Sequence, residues 1–312
     1  TVNSFAGRFQ LNYIDYNLYL EYVRKGKDPA FVNQYSFHKG SALLINQSFS
    51  KKGFGLVLSL RELENIDLRS ERDEMGSGLT LNYLPSLTKQ HKYSLAGLHP
   101  YSTRSIGEIG GQLDVFYRFE KGSKIGGATG LKFAVNLSSY YTLDFSDNHT
   151  PIKIGDTLLF KDFGVELEKK LSNSLKGSVS FINQNYSKVN TTGQNAMIIS
   201  KIIVLDLSSK LSSKNSMRIE LSQLWGVRNE DDWSMGLLEM GFIPKWSIFI
   251  SDMIQHKTQG VHYYKGGLSY TQSSTKLSIA FGRSKEGLQC VSGMCRYMPA
   301  YTGASMSIVT SF

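Results

Sequence analysis

Cysteine and proline are scarce in this 312-residue chain, with two Cys and six Pro. That excludes a disulfide-dense scaffold and a proline-rich linker. Long apolar runs are missing as well. The best are short stretches such as Leu56-Val57-Leu58 and Ile202-Ile203-Val204-Leu205, against the ~18 residues a membrane helix needs, so helical membrane spans are excluded. The chain opens at Thr1 with no charged-then-apolar leader and is read as a mature chain or a fragment. What is abundant is aromatic: 17 Tyr, 17 Phe and 3 Trp are too many for a disordered polymer. Thirty-five basic residues against 26 acidic ones give a net charge of +9, which raises nucleic acid or anionic lipid as partners until the charge is placed.

Nearly every apolar cluster alternates with polar residues at period two, the signature of strands. Phe5, Gly7, Phe9, Leu11 and Tyr13 oppose Ala6, Arg8, Gln10 and Asn12; Leu131, Phe133, Val135 and Leu137 oppose Lys132, Ala134, Asn136 and Ser138. The pattern predicts about seventeen strands, near 4–13, 16–24, 40–50, 53–61, 77–85, 91–98, 110–119, 126–138, 158–169, 175–186, 197–209, 215–225, 233–242, 246–255, 261–270, 276–284 and 302–312. Many are ~9–11 residues long, enough to cross a bilayer when tilted, whereas soluble strands centre nearer ~5–6. The connections alternate in length. Residues 25–39, 62–76, 99–109, 139–157, 187–196, 226–232 and 285–301 make the longer set, and 14–15, 51–52, 86–90, 120–125, 170–174, 210–214, 243–245 and 271–275 the shorter, with 256–260 a short member of the longer series. Outer-membrane barrels join their strands in this way. No Pro falls inside a strand, where it would interrupt a ladder. A soluble sandwich or propeller would have shorter strands, similar connections at both ends and a polar outward face. Here the greasy face must look outward, and in lipid only a closed ladder satisfies the backbone.

The chain ends in alternation, with Met306, Ile308, Thr310 and Phe312 on one face. This resembles the C-terminal signal read by the barrel-assembly machinery. It puts the C-terminus in the periplasm and loop 285–301 outside. Seventeen strands then start the first one outside the cell, whereas single-chain barrels usually have even counts; either one strand is misplaced or upstream residues are missing, and the second reading is favoured. The short turns carry Lys51, Lys52, Lys89, Lys121, Lys124, Lys170, Lys210, Lys214 and Lys245. Ordinary solvated turns account for these, or a basic periplasmic rim that meets lipid phosphates or an acidic envelope protein. The 62–76 loop is acidic and assigned to the outside. Dispersed single lysines without aromatic-rich motifs argue against nucleic acid.

Candidate chemistry is sparse. Cys290 and Cys295 enclose four residues in an external loop and read as a disulfide in an oxidising envelope, not as a redox or zinc motif. No Gly-x-Ser-x-Gly elbow or distinctive Ser–His–acid set appears, and Asp147-Asn148-His149 reads as turn chemistry. Gly126, Gly127 and Gly130 lack the Lys-Ser/Thr and helix of a phosphate loop. No enzyme activity, cofactor or metal is expected. Polar residues Arg61, Asp114, Arg118, Lys132, Glu166 and Arg218 are candidates for a lumen face.

Two stretches carry a family resemblance. One is Leu79-Thr80-Leu81-Asn82-Tyr83-Leu84-Pro85-Ser86-Leu87-Thr88-Lys89-Gln90-His91-Lys92-Tyr93-Ser94-Leu95 with Pro100-Tyr101 and Gly107-Glu108-Ile109-Gly110-Gly111-Gln112; the other is Cys290-Val291-Ser292-Gly293-Met294-Cys295-Arg296-Tyr297-Met298-Pro299-Ala300. They resemble an uncharacterised family of Bacteroidota envelope proteins, a domain of unknown function, over roughly residue 38 to the end. The resemblance implies an outer-membrane or surface location and brings no catalytic residues. Its members are generally longer, which agrees with the odd strand count and leaves barrel size and closure open.

The expectation is therefore an all-β antiparallel transmembrane barrel of about 16–18 strands, or the C-terminal part of a larger one, in contact with outer-membrane lipids. Its first functional reading is a non-enzymatic scaffold or assembly subunit with envelope partners. The second is a passive, porin-like solute channel, and the third a lipid-modifying enzyme.

Overall fold

Alternating side chains leave each segment one apolar and one polar side, and neighbouring segments pair so that like sides align. The computed structural model describes residues 2–74, 79–82, 84–144, 154–189, 196–228, 230–242, 245–257, 260–291 and 294–311, with backbone only between 288 and 296. The strands are β1 (Ser4–Tyr13), β2 (Tyr16–Lys25), β3 (Gly40–Lys51), β4 (Phe54–Glu64), β5 (Gly107–Phe119), β6 (Leu131–Leu143), β7 (Ile154–Lys170), β8 (Leu175–Ser187), β9 (Met197–Lys210), β10 (Asn215–Arg228), β11 (Trp233–Phe242) and β12 (Trp246–Gln255). They continue through β13 (Val261–His262), β14 (Lys265–Gln272), β15 (Thr275–Ser284), β16 (Gly287–Val291), β17 (Met294–Met298) and β18 (Tyr301–Thr310).

All except β16 and β17 form one sheet that follows chain order, with β13 a short extra partner of β12 beside β14. Every described ladder is antiparallel, so the edge strands β1 and β18 run in the same direction, and no ladder joins them among the described residues. Connections at one end are mostly tight. The β3–β4 turn uses Gly53 at φ +80°, which a side chain would strain. The other end carries the long excursions, including the β16–β17 hairpin inside the segment read from sequence as loop 285–301. Strands β5 to β10 run from 13 to 17 residues, all but β6 longer than the sequence pattern indicated.

Two strands read from the sequence are corrected. At 77–85 and 91–98 the described chain makes no ladder beyond an isolated bridge between Arg69 and Thr80. Adjacent Leu95 and Ala96 are both fully buried, which strand alternation forbids on a two-faced sheet. The apolar residues of this stretch instead cover one face of the strands. Tyr93, Leu95 and Ala96 pack with Ile182, Ile202, Val204, Leu224 and Trp233, and Tyr101 packs with Tyr140, Leu159, Phe160, Tyr186 and Ile198.

The sheet therefore has a covered and a bare face. The covered face also holds buried polar residues beside those apolar clusters: Ser138, Asp162, Gln184 and Ser200 form one cross-strand row, and Ser138, Asp162 and Glu108 have no exposure. The bare face is apolar. Val135, Val165, Phe181 and Ile203 align across β6 to β9, while Ile250 is 63% exposed and Phe281 57%. Aromatics border it at the tight-turn end: Tyr13, Tyr16 and Phe49 form one row, Phe54, Tyr117 and Phe133 another, and Phe242, Trp246 and Tyr270 a third.

Candidate functional site

The site is built where residues 65–106 lie on the covered face. This segment leaves from Glu64 and returns at Gly107, which pair directly, and Asn65 N–H donates to Ile106 O at 2.8 Å just beyond them. The excursion therefore begins and ends at one point of the β4–β5 ladder.

Its central anchor is a buried ion pair. Arg61 Nη2 reaches Glu108 Oε1 at 2.5 Å, their side chains 5% and 0% exposed. The remaining bonds bring in the segment: Arg61 donates to Pro85 O and to Thr103 Oγ1, and Glu108 Oε2 accepts from the Tyr101 hydroxyl and the Arg104 N–H. The Tyr101 ring stacks on Tyr140 and Phe160 at 4.9 and 5.1 Å. Gly110 sits between Arg61 and Tyr140 in register, and a Cβ there would lie 2.1 Å from Ser139 O. Its lack of a side chain lets the guanidinium approach the Tyr140 ring, at 5.8 Å.

A second set of anchors meets the strands further along. His91 Nε2 lies 2.5 Å from Asp162 Oδ2; Gln184 donates to Ala96 O, and the Tyr93 hydroxyl meets Ser178. Lys89 reaches Glu166 at 3.5 Å and Lys92 reaches Asp206 at 3.9 Å. His99 contacts Glu230 and stacks on Tyr186.

Glu230 lies in the β10–β11 connection. Burial alone would raise its carboxyl, but His99, the Asp231 N–H and the Trp233 indole N–H outweigh it and hold the group at about 2. A depressed acid stabilises the fold above its ordinary range near 4.5 and loses that contribution as pH falls toward 2. The urea midpoint, followed by tryptophan fluorescence, is expected to fall between those pH values by an amount equivalent to roughly 1–2 kcal/mol. Glu230→Gln should flatten that dependence, and an equal slope in the variant would refute the assignment.

At the tight-turn end, beyond the segment, Arg118, Lys132, Lys170, Lys176, Lys210 and Arg218 gather around a cavity of about 780 Å³. Register places them all on the covered face. Lys132 and Lys176 share Glu168 at 2.7 and 2.6 Å, while Arg218 contacts Asp206 and Glu220 at 3.1 and 2.7 Å.

Of the lumen candidates, all six occupy this one face. Asp114 accepts from Gln112 and Asn136, Glu166 meets Lys89, and Arg118, Lys132 and Arg218 line the cavity. Arg61 is the exception to an open lining, because the segment seals it. Lys51, Lys52, Lys121, Lys124, Lys170, Lys210, Lys214 and Lys245 lie at the tight-turn end, and Lys52 pairs with Glu120 at 3.8 Å. Lys89 does not: the turn assigned to it does not form, and its ammonium faces the strands. The acidic 62–76 stretch is likewise not a free loop. Glu62 and Glu64 belong to β4, and Asp67 accepts from Arg69 and Ser105. Arg72 pairs with Asp28, and Tyr35 donates to Asp73.

Met306, Ile308 and Thr310 share the bare face of β18, opposite Ile279, Leu277 and Thr275; Phe312 lies outside the described residues. Cys290 and Cys295 pair backbone to backbone, and their side chains are outside the description. No group of three metal-ligating side chains occurs among the described residues. Sequence reasoning missed the docking of 65–106; its available signal was two histidines and two prolines interrupting an otherwise strand-like stretch.

No curated protein matches this chain. Among solved structures, a triple mutant of Rhodopseudomonas blastica porin is similar at 11% identity, with 99% of this chain and 89% of that one covered and a TM-score of 0.45. Another mutant of the same porin gives 10% identity with the same coverage and TM-score. Over residues 1–312 the sequence matches a family of unknown function, DUF6029, and the chain belongs to that family.

Proposed function

We propose that this chain forms the wall of an outer-membrane β-barrel enclosing a charge-lined solute pathway, narrowed by residues 65–106. The observation that carries this reading is the inversion of polarity: large apolar side chains stand on the bare face while Asp, Glu, Ser and Gln are buried on the other. In water such a surface is an aggregation liability, whereas in lipid it is the required one. Aromatic rows at the tight-turn border suit a membrane interface. Beyond the segment's apolar contacts, at the tight-turn end, the same face of the wall carries charged and hydroxyl side chains, as a water-filled interior needs, and barrels of about 16–18 strands are wide enough to hold an aqueous path. By the usual disposition, tight turns and the C-terminus face the periplasm, and Met306, Ile308, Thr310 and Phe312 serve as the assembly signal. A scaffold role would use the same lysine rim but gives no reason for the charged rows on the covered face. The reading contains no catalytic step, cofactor or nucleic acid.

Planar-bilayer recording tests it: purified chain should give stable unitary steps, and reproducible silence would overturn the pathway. Membrane placement has its own check. Leu205→Arg, at the middle of the bare face, should cost about 2–4 kcal/mol and block assembly, read as loss of heat-modifiable gel migration. Ser208→Arg, one face over, should assemble normally. We also propose a disulfide between Cys290 and Cys295, whose backbones oppose each other in the β16–β17 ladder, a spacing compatible with such a bond. Under denaturing, non-reducing conditions neither thiol should alkylate; labelling of both would refute the bond.

A further inference from the structure

The excess of positive charge around the 780 Å³ cavity goes beyond what the wall needs to neutralise itself. Seven basic and two acidic side chains line it. Glu168 is already divided between Lys132 and Lys176. Arg218 is engaged by Asp206 and Glu220 and, at 3.8 Å, by Glu239. Arg118, Lys121, Lys170 and Lys210 make no ion pair among the described residues. Between these cations stand hydroxyls of Ser174, Ser208 and Ser216, short donors suited to the oxygens of phosphate or sulfate. Like charges collected around a concavity repel one another and focus a positive potential into it.

We infer that this cavity is a binding site for a soluble oligoanion carrying several phosphate or sulfate groups, which enters or leaves at the tight-turn mouth. The inference rests on the proposed pathway for its role in passage, but the site itself does not require conduction. Several anionic groups on one solute can engage Arg118, Lys170 and Lys210 at once without disturbing the Lys132–Glu168–Lys176 arrangement, so the wall need not rearrange on binding. Above the cavity, Lys92 of the inward segment meets Asp206, and Arg218 meets the same carboxylate. This places a charge contact between the segment and the wall directly beside the anion site.

The test uses the full chain in detergent, without added phospholipid, titrated calorimetrically with sodium tripolyphosphate. Saturable binding at low ionic strength, weakened by added sodium chloride, is expected. The triple variant R118Q/K170Q/K210Q should weaken it by about tenfold or more, while K124Q/K214Q/K245Q, with the same charge loss outside the cavity, should stay within about twofold. Absence of binding, or equal weakening in both triples, overturns the inference. Bilayer recording with tripolyphosphate added to one side separates the two readings. Stable conduction without cavity-specific binding of tripolyphosphate overturns the anion site alone. Silent bilayers with cavity-specific binding overturn the pathway and leave the site standing.

Discussion

Glu108→Ala is expected to destabilise the protein by about 3–5 kcal/mol, because it leaves the Arg61 guanidinium buried and unpaired. The carboxylate has no exposure, and its oxygens take up Arg61, Tyr101 and the Arg104 N–H. Three donors would lose their acceptor together, and water cannot reach them without lifting the segment. Glu108→Gln keeps an acceptor in place and should cost less, about 1–3 kcal/mol. The double variant Arg61→Met/Glu108→Leu removes both charges and should recover much of the loss, as buried pairs often tolerate apolar replacement. Urea midpoints of the folded, detergent-solubilised protein decide the matter. A loss below about 1 kcal/mol for Glu108→Ala would place the pair at a water-accessible surface.

The second large effect concerns conduction. Removing residues 66–105 and joining Asn65 to Ile106 through two glycines should raise unitary conductance several-fold. The wall should survive this cut. Asn65 and Ile106 already exchange a backbone hydrogen bond, so a two-residue hairpin fits between them. The cut strips Tyr93, Leu95 and Ala96 from Ile182, Ile202 and Leu224, and the newly uncovered surface keeps its polar rows. Arg61 and Glu108 would remain paired, now in contact with water. If the shortened protein assembles and conducts as before, the segment is not the constriction.

The ladder order of this protein is legible in the sequence because period-two alternation needs no tertiary information: a strand with one greasy side is recognisable wherever that side points. The shared face of Arg118, Lys132 and Arg218 follows from the same parity. The 65–106 segment escapes it for a physical reason. Tyr93 and Leu95 repeat at the interval of a strand, yet their burial comes from strand residues almost a hundred positions away, including Ile182 and Ile202. Lys89 was misplaced with them, since a lysine near Ser86 and Thr88 looks like a solvated turn until Glu166 is seen opposite it. The pairs His91–Asp162 and His99–Glu230 join residues separated by 71 and 131 positions, a range over which one sequence carries no pairing signal.

The adjoining exit and return of the inward segment, at Glu64 and Gly107, also bears on how such proteins diverge. An insert whose two ends touch can be lengthened, shortened or exchanged without shifting the surrounding hydrogen-bond register. The ladder and the segment that covers it can therefore drift under separate selection, one answering to the surroundings of the bare face and the other to what the covered face must hold.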